Sequence, residues 1–133
     1  LASGKVKITF ADVPFHRFTP VYARYYLYAV NAGANNEEIF RIRKILFQAA
    51  QEKRIETSEA LLGYLKEQKI VGKSFDEKPV FSMLSAMIKE NKVDNTPTCV
   101  IKYSSMDVKK YVGMEEIWIG LTKLKTHLAT VKK

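Results

Sequence analysis

The stretch Asn95–Ile101 reads NTPTCVI, and it places a proline immediately before an apolar run that is typical of a β-strand. Proline has no N–H to donate to a ladder, so it is found at the beginning, edge or bulge of a strand. Pro97 therefore predicts that a strand begins here, within TPTCVIKY at residues 96–103. A second strand-like run, VKKYVG at residues 108–113, follows after SSMD, and this four-residue gap is typical of a β-hairpin.

An amphipathic helix is predicted after the hairpin. Gly113 ends the second strand, and apolar residues then recur at helical spacings of three and four. Acidic residues near the beginning and basic residues in the later turns favour this helix because their charges complement its dipole. The apolar positions are Met114, Ile117, Trp118, Leu121, Leu124 and Leu128.

One more strand and four helices are predicted upstream of the hairpin. Over Lys5–Ala11 the apolar residues Val6, Ile8 and Phe10 alternate with polar ones, as in a strand with one buried face. Thr19 and Asn36 are the predicted caps of the first two helices. The helices are predicted at residues 20–32, at residues 37–53, after a cap at Thr57 or Ser58, and from Pro79.

The first of these helices carries four tyrosines, at positions 22, 25, 26 and 28, and Arg24 is its only charged residue. Two interpretations are open, a tyrosine-rich recognition groove and a buried core helix. The core interpretation is favoured because Tyr22 and Tyr26, like Tyr25 and Tyr28, occupy neighbouring positions on the helix surface.

Composition narrows the possible function classes. The chain of 133 residues carries a net charge of +8, has no apolar run long enough to span a membrane, and has one cysteine, Cys99. That single cysteine excludes an internal disulfide and a CxxC pair. His16 and His127 belong to no ligand-like cluster, so no metal and no cofactor are predicted. The charge fits a solvated basic surface or a binder of nucleic acid or anionic surfaces, and the absence of a recognition motif favours the former.

The order strand, four helices, hairpin and helix predicts an α/β architecture. We expect residues 1–133 to form one domain. Within it, residues 19–92 make a helical block, and residues 96–133 make a closing strand-strand-helix unit. No internal repeat or low-complexity linker divides the chain.

Three segments in this order resemble the DsbA-like branch of the thioredoxin superfamily, whose members are thiol:disulfide interchange proteins. ITFADVPFH is similar to the family's strand that ends in a Pro-apolar-His step. TPTCVI resembles its Thr-Pro-Thr segment before an apolar strand, and KKYVGMEEIWIGLTKL resembles its last strand, glycine and helix. The resemblance implies a thioredoxin-like sheet with a helical insertion. It also implies a cis Thr96–Pro97 bond and a peptide-binding site at Thr96, Pro97 and Thr98.

The chain departs from that family in its redox motif. The family's CxxC lies at the N-terminus of the first core helix, where the helix dipole lowers the pKa of a thiol. LASGKVKITF resembles the end of that helix and the strand after it, so the first core strand and the CxxC would precede Leu1. The sheet is then expected to be incomplete at its N-terminal part, and no catalytic residue is assigned. Cys99 is interpreted as a buried thiol rather than a reactive one.

The leading hypothesis is a domain of a thiol:disulfide oxidoreductase that acts on cysteines of secreted proteins, with its redox motif absent from this chain. The alternative is a redox-inactive thioredoxin-like module that binds peptides or proteins. Expected partners are extended or unfolded polypeptides, a redox partner protein, and a second copy or a complementing fragment. Neither nucleic acid nor a membrane span is expected, and the resemblance implies a periplasmic or otherwise exported location.

Overall fold

The computed structural model describes residues 4–13 and 16–131. Its elements give a mixed α/β fold of five helices and one two-stranded antiparallel sheet in the described ranges, which confirms the predicted fold class. The match of predicted and observed elements is close from residue 19 onward. In chain order the elements are α1 (Thr19–Asn31), α2 (Asn36–Gln51), α3 (Ser58–Glu67), α4 (Lys78–Glu90), β1 (Thr98–Lys102), β2 (Val108–Val112) and α5 (Met114–Thr130).

The chain forms two compact units whose boundary falls within α4, between Leu84 and Ser85. One unit spans Phe10–Leu84, and the other combines residues 4–9 with residues 85–131. Within the described residues, none of the helices is both long enough and apolar enough to cross a membrane.

The unit Phe10–Leu84 is a helical bundle with a dense apolar core. Eight side chains from α1, α2 and α3 form that core, and the tyrosines of α1 contribute to it unequally. Tyr26 is buried, whereas the other three are half-buried, and the Tyr25 and Tyr28 rings meet edge to face with centroids 5.9 Å apart. The core residues are Tyr26, Ala29, Ile42, Ile45, Leu46, Ala49, Leu61 and Leu65.

Two predicted helix caps are wrong by one residue. Phe18 occupies the cap of α1 without a side-chain hydrogen bond, and Thr19 lies inside the helix, because Pro20 fits anywhere in a first turn. Asn35, not Asn36, caps α2. The Asn35 side chain accepts from the N–H of Glu38 at 3.0 Å, and Glu38 accepts from the N–H of Asn35 at 2.9 Å. This reciprocal capping box decides between the two asparagines because only Asn35 has a glutamate three residues later.

The other unit is built on the predicted hairpin. β1 and β2 pair antiparallel with Cys99 opposite Tyr111 and Ile101 opposite Lys109. Residues directly opposite each other share a sheet face. The Tyr111 ring packs on the backbone of α5 so closely that a Cβ placed on Gly120 would lie 2.6 Å from it. The face of Cys99, Ile101 and Tyr111 is therefore the one that α5 covers.

The strand predicted over Lys5–Ala11 is wrong. These residues form no regular element, and Ile8, which was expected on a buried face, is 46% exposed. A segment forms a stable β-strand only when a neighbouring strand pairs with its backbone N–H and C=O groups. The sheet in the described residues holds only β1 and β2, so this alternating segment has no partner strand.

Candidate functional site

The predicted site residues Thr96, Pro97 and Thr98 lie together at the entrance to β1. The Thr96–Pro97 peptide bond is cis, and both residues are exposed. The Thr98 hydroxyl donates to the carbonyl of Asn95 at 2.6 Å, which closes the turn before the strand. The N–H of Gly113 donates to the carbonyl of Pro97 at 2.9 Å, so a hydrogen bond joins the two sides of the hairpin at this end.

The hydrogen-bonding pattern determines which backbone groups of β1 are available. In an antiparallel pair, residues that exchange hydrogen bonds alternate with residues whose N–H and C=O point away from the partner. Two backbone hydrogen bonds, each 2.9 Å long, flank the strand: Gly113 N–H donates to Pro97 O, and Tyr103 N–H donates to Asp107 O. In this register the odd-numbered residues of β1 form the hydrogen-bonded pairs with β2. The N–H and C=O groups of Thr98, Val100 and Lys102 therefore point to the outer edge of β1, away from β2.

The outer edge of β1 is open within the described residues. No backbone hydrogen bond joins Thr98, Val100 or Lys102 to residues 4–9 or to the described loops of the same unit. The outer edge of β2 differs, because the carboxylate of Glu116 accepts from the N–H of Val112 at 2.8 Å. Of the two edges, only that of β1 presents its full row of backbone groups to an incoming strand.

The side chains along this edge form a surface of apolar and basic groups. Thr98, Val100 and Lys102 lie on the sheet face opposite α5, together with their partners on β2. The ammonium group of Lys110 on this face is held by the carbonyls of Lys92 at 3.1 Å and Asn91 at 3.4 Å. Val112 on the same face remains exposed. An added strand would thus meet threonine, valine and lysine side chains beside the backbone row.

Cys99 belongs to the other face. Its alternation with Thr98 turns it toward α5, opposite Tyr111, where it is half-buried. Burial raises the pKa of the Cys99 thiol. A thiol without a lowered pKa reacts slowly because the thiolate is the nucleophile. Cys99 is therefore not brought into the site at Thr96–Thr98.

The histidines lie elsewhere. The His127 ring on α5 packs against Tyr103 with centroids 4.8 Å apart, and His16 precedes α1 in the helical unit. Residues 4–13 and 16–131 contain no group of three His, Cys, Asp or Glu side chains that could hold a metal ion.

Val100 and Lys102 are candidate site residues to which the sequence pattern did not point directly. A signal was present, because counting in steps of two from Thr98 along the predicted strand gives these positions. The two-residue alternation could not tell which edge of the hairpin is open, because that depends on the partner strand and on Glu116.

Comparison with known proteins places these features in a family. A family model described as Thioredoxin matches residues 1–117, which includes the helical block, the hairpin and the first turn of α5. The searches of curated proteins and of solved structures gave no significant match.

Proposed function

The chain belongs to the thioredoxin superfamily, and we propose that it binds extended polypeptides by strand addition along the outer edge of β1. In this proposal it is the polypeptide-binding part of a DsbA-like thiol:disulfide oxidoreductase that acts on cysteines of secreted proteins. Thr96, Pro97 and Thr98 form the entrance of the site, and the backbone groups of Val100 and Lys102 continue it.

The open edge is the observation that carries the proposal. Thr98, Val100 and Lys102 present their N–H and C=O groups outward in one row, unpaired with any described residue. A row of this kind pairs with an extended chain through main-chain hydrogen bonds, which supply affinity without demanding one sequence. Broad recognition of unfolded polypeptides is what an enzyme acting on many secreted proteins requires.

The DsbA-like branch is supported by the order of the elements along the chain. In the sequence a helical block comes before the hairpin, and a Thr-Pro-Thr segment leads into β1. An exported location follows from that branch alone. Fractionation of the source cells with an antibody against the chain tests it, and recovery of the protein only from the cytosol would contradict it.

A redox-inactive binding module is the second candidate, and Cys99 favours it. The thiol is half-buried, its pKa is raised by burial, and it is the only cysteine of the chain. A single thiol forms a mixed disulfide but has no second thiol to resolve it. Both candidates share the binding step at β1 and differ in whether cysteines outside this sequence complete the chemistry.

Strand addition is tested first on the peptide side, which leaves the protein unchanged. A short fluorescent peptide of alternating valine and serine is made in three forms: unmodified, N-methylated at every second residue, and N-methylated throughout. An added strand uses the N–H groups of alternate residues only. Fluorescence anisotropy should therefore show binding of the first two forms and loss of binding of the third. Equal binding of all three forms would contradict main-chain pairing.

The protein side is tested at Val100. Val100→Pro removes an outward N–H and should abolish binding of the unmodified peptide, whereas Val100→Thr keeps the N–H and should bind normally. Val108→Pro, at an outward position of β2, is the matched control, because an edge strand tolerates proline where its N–H faces solvent. Similar circular dichroism spectra would show that the variants fold. Loss of binding in Val108→Pro but not in Val100→Pro would move the site to β2.

A further inference from the structure

A cavity of about 620 Å³ opens in the helical unit, and its described walls come from Asp12, residues 16–18, the first turn of α1, the second half of α2 and the turn after α2. This volume lies within the range of small-molecule sites, roughly 300–1,000 Å³. Leu46, Phe47, Ala50 and Ile55 supply its apolar lining. Phe47 is 60% exposed, which leaves an aromatic ring at the cavity without a full set of protein contacts.

The wall of the cavity nearest Arg43 is fixed in place. The Arg43 guanidinium is paired with Asp12, with Nη2 2.9 Å from Oδ1, and it lies over the Phe10 and Tyr26 rings at 4.5 and 4.8 Å from their centroids. Its side chain is 14% exposed. An arginine held by a carboxylate and by two aromatic faces has little freedom to rearrange, so the cavity does not depend on Arg43 moving aside.

The wall beside Ile55 is fixed in a similar way. The Tyr22 hydroxyl, which also lines the cavity, donates to the Ile55 carbonyl at 2.6 Å. This bond ties the turn after α2 to α1. Leu46 and Ile55 therefore keep their apolar surfaces directed at a preformed space, which reduces the ordering cost of binding a ligand.

The remaining charges at the cavity favour an anion. Arg17 and Arg54 line it and make no ion pair with any residue in the ranges 4–13 and 16–131, and the Arg17 guanidinium stands 5.6 Å from the centroid of the Phe18 ring. Glu56 is the one lining carboxylate that has no cation partner there, since Asp12 is paired with Arg43. Two available guanidinium groups thus outnumber one available carboxylate.

We propose that this cavity binds a small amphipathic carboxylate. The apolar body of the ligand lies against Leu46, Phe47 and Ile55, and its carboxylate is held by Arg17 and Arg54, whose planar groups can each donate two hydrogen bonds to it. The site uses no residue of β1 and does not depend on the polypeptide-binding function proposed above.

Decanoate is the probe, measured by isothermal titration calorimetry with decanol as the uncharged analogue. We expect one decanoate bound per chain, weaker binding at high salt, and much weaker binding of decanol. Arg54→Gln should weaken decanoate binding about tenfold, because it removes a charged hydrogen-bond donor. Lys53→Gln is the matched control, since it removes the same charge from a neighbouring residue that does not line the cavity.

A second variant tests the location. Ala50→Phe places a ring in the cavity from an exposed helix position and should abolish binding while leaving the circular dichroism spectrum unchanged. Full binding by Ala50→Phe, or equal loss in Lys53→Gln and Arg54→Gln, would overturn the proposal. Loss of binding in Trp118→Ala would assign decanoate to the exposed surface of α5 instead. Equal affinity for decanol would contradict the proposal that Arg17 and Arg54 hold the carboxylate of the ligand.

Discussion

At the scale of single residues, Cys99 limits the chemistry available to this chain. It is the only thiol, it faces α5, and burial raises its pKa. We expect the purified chain to show no catalytic turnover in an insulin-reduction assay with dithiothreitol, because its mixed disulfide has no resolving thiol. Turnover above the uncatalysed rate would contradict this.

The same residue gives a direct chemical test. Alkylation of Cys99 by iodoacetamide at mildly alkaline pH should be slower in the folded chain than in the urea-unfolded chain, since the folded thiol is less often ionised and less accessible. Mass spectrometry of quenched samples measures both rates. Equal rates would show that the environment given by β1 and α5 does not protect the thiol.

The Glu77 carboxyl is expected to make the stability of the fold depend on pH. Its own backbone N–H, and then the hydrogen bond and charge of Arg24, lower the pKa of the Glu77 carboxyl, although burial acts in the other direction. The Arg24 Nε lies 2.8 Å from Glu77 Oε1. A carboxyl with a lowered folded pKa stabilises the fold above its ordinary value of 4.5. That stabilisation is lost as the pH falls through the folded pKa.

We therefore predict that Glu77→Gln lowers the free energy of unfolding at neutral pH and flattens its decline below pH 4.5. Urea denaturation at a series of pH values measures both effects. Glu67→Gln removes the same charge at a position without an ion pair among the described residues. It should leave the decline of the free energy of unfolding at acid pH unchanged. If Glu77→Gln left that decline unchanged, the contact of Glu77 with Arg24 would contribute nothing to the stability of the fold.

At the scale of elements, Gly120 determines how α5 rests on the hairpin. A glycine inside a helix lowers its stability by about 1 kcal/mol relative to alanine. Here it is kept beside the Tyr111 ring, which leaves no space for a Cβ. The cost to the helix is offset because the close approach lets α5 cover the face of Ile101, the one buried strand residue among those described.

Gly120→Ala should therefore destabilise the fold by ~1–3 kcal/mol through overpacking, despite its better helix propensity. Gly63→Ala in α3 is the matched control, because a Cβ there meets no atom within 4 Å. It should stabilise the protein by up to about 1 kcal/mol. Urea denaturation followed by circular dichroism compares them, and stabilisation by both substitutions would contradict the packing of Tyr111 on α5.

At the scale of the whole molecule, apolar burial is concentrated in one unit. Every buried hydrophobic residue of the described chain except Ile101 lies within Phe10–Leu84. Local opening is easiest where few apolar contacts would be lost. We predict slower backbone amide exchange in α1, α2 and α3 than in β1, β2 and α5, measured by hydrogen-deuterium exchange mass spectrometry. Uniform protection across the chain would contradict this difference.

The exposed side of α5 leads to a prediction about association. Met114, Trp118 and Leu121 follow one another at spacings of four and three, so they lie on one helix face, and they are 72%, 73% and 44% exposed. Apolar surface of this kind marks contact sites. We predict that the chain associates with a second copy or a complementing polypeptide, and that sedimentation velocity detects concentration-dependent self-association of the pure chain.

Trp118→Lys should then shift the chain to a monomer. Met106→Lys is its control, because Met106 is also a large apolar residue, 95% exposed, but lies on the hairpin turn. A monomer at every concentration, with and without the substitution, would contradict the predicted self-association. Failure of the chain to bind any partner through this face would refute the prediction.

The sequence by itself determined the helices, the hairpin and the position of Thr96–Thr98. Apolar spacing of three and four specifies α1 to α5, because each helix makes its hydrogen bonds within its own segment. The hairpin is equally local, since SSMD joins its strands directly. The strand predicted over Lys5–Ala11 failed for the opposite reason: its backbone groups need a partner strand, and alternation in one segment cannot supply it.

Only the tertiary structure decided which groups of the candidate site are available. The outer edge of β1 is open because no described segment pairs with it, and that of β2 is partly closed because Glu116 reaches Val112. The cavity beside Arg43 arises from residues that come together across more than thirty positions, such as Asp12 with Arg43 and Tyr22 with Ile55. Short-range patterns specify elements, whereas free edges and cavities depend on contacts between residues distant in sequence, and the fold alone fixes those contacts.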